Sequence, residues 1–380
     1  MDNKVYHECM QLTSQFKFCP NAFRIDLYRG CDFGCKYCFA DMEAFNEVGT
    51  GLSKWRSAKI DDIKRKFYLA FETDTESKSV IVELLRHRVP LHCGGMSDPF
   101  QCREWTEHLT KQLIEISNRY QYPICFSTKT SCLPRDYLDI LNPDIHAFQV
   151  SIMGLDYDYV SQWETNTPRP TDRAEFVQLL RKDFGIWCGV RIQPIIDIEK
   201  VLEMIDTLED IPSYYSVEHL HVISDSFRAM KSLVDQCVNP HDFTTVKGVT
   251  EFRHDVKEKN VKRIIEAANK YGVRVGAADN DLHHLSQSRC CCGIDCINEN
   301  FNGYLKYNLT YMATGDFNKN EVFIPQSNLR RHMNVGAQTP HVYYKDVVKK
   351  YVKNNLDLIP PEYRKSVENQ LFGSHLQNLF

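Results

Sequence analysis

The sequence predicts an α/β protein built on a parallel sheet. Seven short apolar runs alternate with stretches in which apolar residues recur every three or four positions. The first pattern is typical of strands buried on both faces, and the second is typical of helices packed on a sheet. Hydrophobic residues make up 43% and charged residues 25% of the 380 residues, which is the composition of a globular protein with a large core. Such a sheet is either doubly wound or closed as a barrel.

The predicted strands follow the apolar runs in chain order, at 22–28, 89–94, 122–128, 146–152, 187–196, 217–223 and 273–278. The helical patterns between them include 104–120, 172–184, 199–209 and 257–271. Both periodicities are those of elements that bury one face or both faces in a common core. We therefore expect a sheet whose strands are joined by helical crossovers.

The alternation ends near residue 280. The segment 297–340 is rich in Asn, Gly and polar residues, so we expect irregular structure there. Residues 342–352 place Tyr and Val side chains on one helical face, and Pro361 suits the first turn of a last helix. These patterns divide the chain into an N-terminal extension (1–20), an α/β core (21–280) and a Cys-containing C-terminal extension with terminal helices (281–380).

Charge and hydropathy restrict where the protein acts. The formal net charge of −4 gives no basic signature over the whole chain, so a nucleic-acid contact would need a local patch. The first residues lack the apolar run of a signal peptide, and no stretch reaches transmembrane length. We expect a cytoplasmic protein without a membrane partner.

Fifteen cysteines in a reducing compartment are not expected to form a disulfide framework. Cys125 and Cys188 lie in apolar surroundings and are interpreted as small core residues. Two groups are clustered instead. The first is Cys31, Cys35 and Cys38 in "GCDFGCKYCFA", and the second is Cys290, Cys291, Cys292 and Cys296 in "RCCCGIDC".

The first group has the character of an iron–sulfur site. Thiolates select zinc or iron–sulfur clusters, and a structural zinc site usually takes four ligands in two separated pairs. Three cysteines on one loop without a nearby fourth suit a cubane cluster whose fourth iron stays open. The loop follows the first predicted strand, so it is expected at the carboxyl end of a parallel sheet, where α/β enzymes keep their chemistry.

The spacing C-x3-C-x2-C, with Tyr37 before the last cysteine, resembles the signature of radical S-adenosylmethionine (SAM) enzymes. After the second strand, "GGMSDPFQ" resembles the Gly-Gly-Glu motif of that superfamily, with Met96 in place of the acid. The segments "STKTSCLPRD", "QVSI", "WETNTPRPTDR" and "VRIQPII" are similar to the branch that contains spore photoproduct lyase and the DNA-repair-photolyase-like proteins. The resemblance extends from about residue 20 to residue 225.

This resemblance implies a parallel, partial TIM-type β/α barrel of the radical SAM type, followed by the C-terminal extension. It implies that Cys31, Cys35 and Cys38 ligate a 4Fe-4S cluster and that SAM binds beside it. The other implied cofactor-binding positions are Tyr37 of the Cys motif, Gly94 and Gly95 at the SAM amino group, Ser97 and Ser151 at the ribose or methionyl group, Lys129 at the SAM carboxylate, and Arg191 on the carboxylate side of the pocket.

Structural alternatives remain at several of these positions. Lys129 at a strand end could be a solvated charge, Ser151 could cap a loop, and Arg191 could pair with Glu164. Asp98-Pro99 could be a turn. Glu164 and Arg173 match the pattern of the branch, but the residue types alone suggest no role for them.

The implied reaction is reductive cleavage of SAM, with an electron from a reductant such as flavodoxin or ferredoxin. The deoxyadenosyl radical then removes a hydrogen from a substrate. The branch points to a nucleobase, nucleotide or nucleic acid, in a thymine-type modification or repair of the lyase kind. The lyase has a cysteine near its Ser-Asp pair, whereas here the nearest cysteines are Cys93 and Cys102. Residues 342–353 carry four lysines and three tyrosines, which could hold phosphates and bases, although the pattern favours an amphipathic helix packed on the barrel.

Other functions and other roles for the second cysteine group stay open. The substrate could be a peptide or a small metabolite, or the chain could be an iron–sulfur or zinc binding module without enzymatic activity. The second group could ligate an auxiliary iron–sulfur cluster, donate hydrogen as a thiol beside the radical, bind zinc with His283 or His284, or be structural. Because it follows the seventh predicted strand, we expect it at the same mouth of the barrel as the first group.

Overall fold

The computed structural model describes residues 9–13, 19–40, 56–75, 77, 79–246, 248–306, 308, 349–350 and 353–354. The predicted terminal helices, over 342–352 and after Pro361, lie outside the described residues except for 349–350. The predicted irregular segment 297–340 is described only as far as 306, with residue 308. The basic aromatic stretch over 342–353 likewise lies almost wholly outside them.

The main sheet contains eight strands and is mostly parallel, which confirms the predicted α/β class. Its strands are β1 (Met10–Leu12), β2 (Phe23–Ile25), β5 (Leu91–Cys93), β6 (Ile124–Thr128), β7 (His146–Ser151), β8 (Trp187–Ile195), β9 (Tyr214–His219) and β13 (Arg274–Ala277). They pair in that order, and only β1, beside β2, is antiparallel. Within the described residues the sheet is open, with β1 and β13 at its edges, as expected of a partial barrel.

Two small sheets flank the main one. The first is a pair formed by β3 (Tyr28–Arg29) and β4 (Arg56–Ser57). The second is three-stranded and antiparallel, formed by β10 (His221–Ile223), β11 (Phe243–Val246) and β12 (Val249–Phe252). The run over 217–223 was predicted as one strand, but the chain leaves the main sheet after His219 and joins the small sheet at His221.

Helices connect the strands. They are α1 (Ile60–Phe71), α2 (Val80–Arg86), α3 (Glu104–Glu107), α4 (Leu109–Tyr120), α5 (Arg135–Leu138), α6 (Tyr157–Val160), α7 (Pro170–Lys182), α8 (Ile198–Leu208), α9 (Ser224–Cys237) and α10 (His254–Asn269). Short 3-10 turns lie at Pro240–Asp242, His283–Leu285, Ile294–Cys296 and Glu299–Lys306. None of the helices in this described part of the chain combines the length and apolar character needed to cross a membrane.

The amphipathic pattern explains why the crossover helices hold their places. In α8 the buried residues are Val201, Met204, Ile205 and Leu208, spaced three and four apart so that they share one face. Each such side chain contributes about 1.5–3 kcal/mol when it leaves water. They join a single large core that also contains the outward-facing residues of the strands.

The predicted helix over 104–120 is interrupted, and the physical reason is a buried carboxylate. His108 has a left-handed backbone (φ 53°) and separates α3 from α4. The Glu104 carboxylate accepts hydrogen bonds from the backbone N–H groups of Thr110 (2.8 Å) and Lys111 (3.0 Å). Glu104 therefore accepts hydrogen bonds from backbone N–H groups in the first turn of α4, although it lies outside that helix. The spacing of apolar residues in the sequence does not reveal this capping role.

Candidate active site

A cavity of about 490 Å³ opens at the carboxyl ends of the parallel strands. All the residues that the sequence predicts for the first cluster and for SAM line it. They are Cys31, Cys35, Cys38, Tyr37, Gly94, Gly95, Ser97, Lys129, Ser151 and Arg191. The structure thus brings these residues together, while their individual contacts with SAM remain predictions.

The loop that carries Cys31, Cys35 and Cys38 is held by a segment far along the chain. The Lys36 N–H donates to the Trp163 carbonyl (2.9 Å), and the backbones of Cys35 and Glu164 form an isolated antiparallel β-bridge. The Gln101 side chain binds the other side of the loop, accepting from the Asp32 N–H (3.2 Å) and donating to the Gly30 carbonyl (3.1 Å). The segments "WETN" and "DPFQ", recognised in sequence without a role, therefore position the cysteine loop.

Glu164 is the centre of a buried ionic network behind this loop. Its carboxylate pairs with Arg173 at 2.7 Å and accepts a hydrogen bond from Tyr37, and the side chains of Glu164 and Arg173 are 1% and 0% exposed. Burial alone would raise the pKa of the Glu164 carboxyl, but Arg173 and Lys129 outweigh it and hold the pKa below its usual range. Arg173 also donates to the Ser151 carbonyl (2.7 Å). Glu164 thus pairs with Arg173, not with Arg191.

Lys129 extends this network to the cavity. Its ammonium lies 4.0 Å from Glu164 and 5.6 Å from the centre of the Tyr37 ring, and its side chain is 16% exposed. Burial would lower the pKa of Lys129, but the neighbouring Cys35 thiol and the Glu164 carboxylate raise it. A cation held by an aromatic face and a carboxylate is fixed in place, which a freely solvated lysine is not.

The three motif cysteines provide a donor set that suits an iron–sulfur cluster. Burial is the main cause that raises the pKa of Cys31 and of Cys35 to about 12. The free thiols of Cys31 and Cys35 are therefore protonated, and cluster binding would release their protons. Among the described residues, no group of three or more His, Cys, Asp or Glu side chains is placed to hold a single metal ion. A cubane is larger than an ion, and three thiols around one cavity fit it.

The turn after β5 depends on glycine. Gly94 has φ +102°, and a side chain there would collide with the Ser127 carbonyl and come within 2.9 Å of Pro99. At Met96, which replaces the acid of the Gly-Gly-Glu motif, the backbone N–H donates to Asp26 (2.7 Å). Asp26 therefore brings a carboxylate to this turn from the end of β2, a neighbour that the sequence did not reveal.

Ser97 and Asp98 make structural bonds. Ser97 donates to the Tyr28 carbonyl (2.5 Å), which leaves the oxygen of Ser97 as an acceptor. Buried Asp98 accepts from the Thr128 hydroxyl (2.8 Å) and the Lys129 N–H (2.6 Å). Asp98-Pro99 is thus a turn that joins the ends of β5 and β6, which was one of the alternatives open in the sequence.

Arg191, on β8, is held by polar side chains of its own and neighbouring strands. Its guanidinium donates to Ser127 (3.1 Å), to Gln149 (3.4 Å) and to Gln193. His92 binds the same Ser127 hydroxyl at 2.8 Å, and burial, followed by the charge of Arg191, lowers the pKa of His92 to about 4. These side chains form a polar layer across the inside of the barrel.

Ionisable residues of the cavity wall were missed from the sequence. Glu218 and His221 line the same cavity from the end of β9 and the start of β10. Their run, "VEHLHVI", was interpreted only as a strand. The sequence did contain a signal, because this otherwise apolar run includes a carboxylate and two histidines. Ionisable side chains are seldom buried without a partner, so their presence in a buried strand indicates a functional or paired position.

The second cysteine group lies at the opposite end of the strands, so the expectation that it faces the same mouth is wrong. After β13 the chain turns back along that strand: the Gln287 N–H donates to the Val275 carbonyl (2.8 Å), and the Ser286 hydroxyl binds Ala277. Tyr214, the first residue of β9, then donates to the Cys290 carbonyl (3.0 Å). This antiparallel return carries the cysteines to the amino-terminal ends of the strands.

Within this group the thiols of Cys290, Cys291 and Cys292 contact one another. The sulfurs of Cys291 and Cys292 lie 3.8 Å apart, and the Cys292 N–H donates to the Cys290 sulfur (3.4 Å). Hydrogen bonds from the Cys290 and Cys291 thiols lower the pKa of Cys292 well below its usual value. The Cys292 carbonyl accepts from Gln149 (2.7 Å), directly beneath the layer that contains Arg191.

Sequence comparisons find distant relatives. No protein-family model matches the chain. Curated uncharacterized proteins of Mycobacterium bovis and Mycobacterium tuberculosis are each 24% identical to it, in an alignment of 215 positions that covers 51% of this chain. The chain spans 57% of the length of these relatives.

Two solved structures of spore photoproduct lyase share the fold. The complex with dinucleoside spore photoproduct aligns with a TM-score of 0.52 at 16% identity, covering 70% of this chain and 78% of that chain. A double mutant with bound AdoMet and the same dinucleoside aligns with a TM-score of 0.50 at 16% identity, covering 69% and 78%. The chain therefore has the fold of spore photoproduct lyase.

Proposed function

We propose that this chain is a radical SAM enzyme. It cleaves SAM reductively at a 4Fe-4S cluster and uses the deoxyadenosyl radical to remove a hydrogen atom from a nucleobase, a nucleotide or a nucleic acid. The observation that supports this most is the convergence of the three motif cysteines with Lys129 and Ser151 on one cavity. The fold shared with spore photoproduct lyase supports it independently.

The proposed roles follow from the network around the loop. Cys31, Cys35 and Cys38 would hold the cluster, which when bound supplies the open iron and the electron for SAM cleavage. Lys129, held by Glu164 and the Tyr37 ring, is the cation for the SAM carboxylate. The buried Glu164–Arg173 pair keeps the loop in place, since neither side chain can leave without exposing a buried charge.

The remaining steps need an electron donor and a shielded substrate. Because each cleavage consumes one electron, a donor such as flavodoxin or ferredoxin belongs to the proposal. Phe33, Phe39 and Met96 line the cavity with apolar surface, which limits the access of water to a reactive intermediate.

The size of the cavity bears on the substrate. About 490 Å³ lies within the range of about 300–1,000 Å³ that is usual for small-molecule sites, and SAM must share this space. A base within a nucleic acid would therefore have to be turned out of its stack to reach the radical. Neither Cys93 nor Cys102 is among the residues that line the cavity, which favours base modification over a repair reaction that needs an adjacent thiol.

The test is SAM cleavage by the anaerobically reconstituted protein. With dithionite, the wild type should form 5′-deoxyadenosine and methionine, measured by chromatography. The variant with Cys31, Cys35 and Cys38 all replaced by Ala should form neither above background, because the cluster has lost its ligands. The matched control replaces the exposed Cys102 and Cys132 by Ala and should retain activity. Cleavage by the triple variant at the wild-type rate would refute the proposal.

A further inference from the structure

Cysteines from two distant parts of the chain lie at the amino-terminal end of the barrel. Cys19 lies between β1 and β2, which pair antiparallel, so this connection is at the amino-terminal end of β2. Cys290, Cys291 and Cys292 reach the same end after the return along β13. Among the described strands, β1 and β13 are the two edges of the main sheet. The two sets of thiols therefore come from opposite edges of the open sheet.

The loop of the three adjacent cysteines packs against one row of residues in the sheet. Cys290 shares an apolar cluster with Cys125 and Ala147. Cys292 packs against this cluster. The register of the strands aligns one residue from each of five strands in this row: Arg24, His92, Cys125, Ala147 and Trp187. The row ends in β2, so the loop and the start of β2 border the same residues.

The Cys19 thiol interacts with this loop. Burial and, after it, the charge of Cys292 raise the pKa of Cys19 to about 12, while a hydrogen bond from the Asn21 N–H opposes the rise. The Cys290 sulfur likewise accepts from a backbone N–H, that of Cys292, at 3.4 Å. Backbone donors at sulfur stabilise a thiolate, and such bonds tune the sulfurs of iron–sulfur clusters. Cys19 thus has the surroundings of a ligand.

Cys296 belongs to the same sequence cluster but has different surroundings. Its sulfur lies 3.9 Å from the Asp295 carboxylate. Burial, followed by the charge of Asp295, raises the pKa of Cys296 to about 11. A carboxylate beside a sulfur disfavours the thiolate form that binds a metal. Cys296 is therefore a poorer fourth ligand than Cys19.

The geometry points to a second iron–sulfur site whose ligands are Cys19, Cys290, Cys291 and Cys292. We call it the bridging site, because it joins the edge formed by β1 and β2 to the return segment along β13. Iron–sulfur clusters are held by four thiolates, and Cys19 supplies the one that the adjacent cysteines lack. A cluster suits these thiols better than a single ion, since no three such side chains of the described residues surround one ion.

The bridging site goes beyond the proposed function, because it lies at the end of the barrel away from the cavity. Its role is to close the amino-terminal end between the two edges of the sheet. A cluster that binds only the folded chain adds its binding free energy to the stability of the fold. The site therefore couples metal content to the stability of the barrel.

The first measurement is the iron and sulfide content of the anaerobically reconstituted protein. The parent is the variant in which the three motif cysteines of the cavity are Ala, and it should retain one cluster. Cys19→Ser in this parent should hold at least about fivefold less iron and sulfide, because the cluster loses a ligand. Cys296→Ser and the exposed Cys102→Ser are the matched controls and should keep the content of the parent.

The contrary results are distinct. Equal iron in Cys19→Ser and in the parent would overturn the role of Cys19, and a loss in Cys296→Ser alone would assign the fourth ligand to Cys296. Zinc without sulfide, or a parent without metal, would overturn the cluster.

Thermal unfolding tests the bridging role. Removal of the metal from the parent should lower the melting temperature by at least about 4 °C. The same treatment should leave Cys19→Ser unchanged, because that variant holds little metal. Equal melting temperatures of the metal-free and reconstituted parent would show that the cluster does not hold the two edges together.

Alkylation of the wild type tests Cys19 without any substitution, so it stands if Cys19→Ser fails to fold. Excess iodoacetamide should label the partly exposed Cys19 in the metal-free protein, and reconstitution should reduce this labelling at least about tenfold. The exposed Cys132 is the control and should be labelled equally in both forms, as read by mass spectrometry. Equal labelling of Cys19 in both forms would overturn its role as a ligand. None of these measurements needs SAM, so a wild type that cleaves no SAM counts against the proposed function alone.

Discussion

The two cysteine groups occupy opposite ends of one barrel in different surroundings. Cys31, Cys35 and Cys38 line an open cavity, with the Lys129 cation and the Glu164–Arg173 pair close by. Cys290 and Cys292 instead pack with an apolar cluster that contains Phe301 and Tyr304. The first arrangement presents thiols to a ligand from solvent, while the second closes the amino-terminal end of the barrel.

The difference teaches that sequence clustering of thiols does not by itself indicate a shared site. Both groups follow a strand of the same sheet, yet only the first stays at the carboxyl end. For the second group, the geometry argues against a thiol that donates hydrogen at the mouth, because the layer of Gln149 and Arg191 separates Cys292 from it. An auxiliary cluster remains our proposal for this group, supported by the mutual contact of its thiols.

The largest expected effect is on metal content. If both groups ligate clusters, the wild type should hold more iron than one four-iron cluster requires. The variant with Cys31, Cys35 and Cys38 replaced by Ala should retain iron and sulfide but lose SAM cleavage. Further replacement of Cys290, Cys291, Cys292 and Cys296 should remove the rest. The iron, zinc and sulfide content of each variant would be measured. A triple variant free of iron would contradict the auxiliary cluster and leave the second group with a structural role.

Arg173→Ala should destabilise the protein by about 3–5 kcal/mol, because it leaves the Glu164 carboxylate buried without its cation. It also removes the donor to the Ser151 carbonyl. Denaturant unfolding measures the effect, and Arg135→Ala, whose side chain is 79% exposed in a surface pair with Asp139, is the control. A loss below about 1 kcal/mol would mean that the network does not hold the loop.

A smaller effect is expected at the closed end. A side chain at Gly276 would collide with the Tyr214 hydroxyl and lie 2.6 Å from the Cys291 carbonyl, so Gly276→Ala should cost about 1–3 kcal/mol. Gly154→Ala, where the nearest atoms lie at 3.5 Å, is the control and should cost little. Thermal unfolding compares the two variants. Equal melting temperatures would show that the return segment is not packed tightly against β13.

Much of the fold was predictable because apolar residues are spaced differently in buried strands and in amphipathic helices. The strand over 146–152 and the helix over 199–209 are found within one residue of their predicted bounds. The interruption at His108 was not predictable, because the carboxylate that caps α4 also accepts a hydrogen bond from Tyr28, on a distant strand. A helix cap that is held by a tertiary contact leaves no pattern in the neighbouring sequence.

The sequence by itself determined where the first cysteine group lies. Three thiols at a C-x3-C-x2-C spacing must lie on one loop, and a loop after a parallel strand must lie at the carboxyl end of the sheet. Only the tertiary structure decided the partners and the opposite placement of the second group. Glu164 meets Tyr37 across 127 positions of the chain, and the Cys290 loop reaches the other end through an antiparallel return along β13. Such contacts depend on the path of the chain in space, and local residue patterns contain no information about that path.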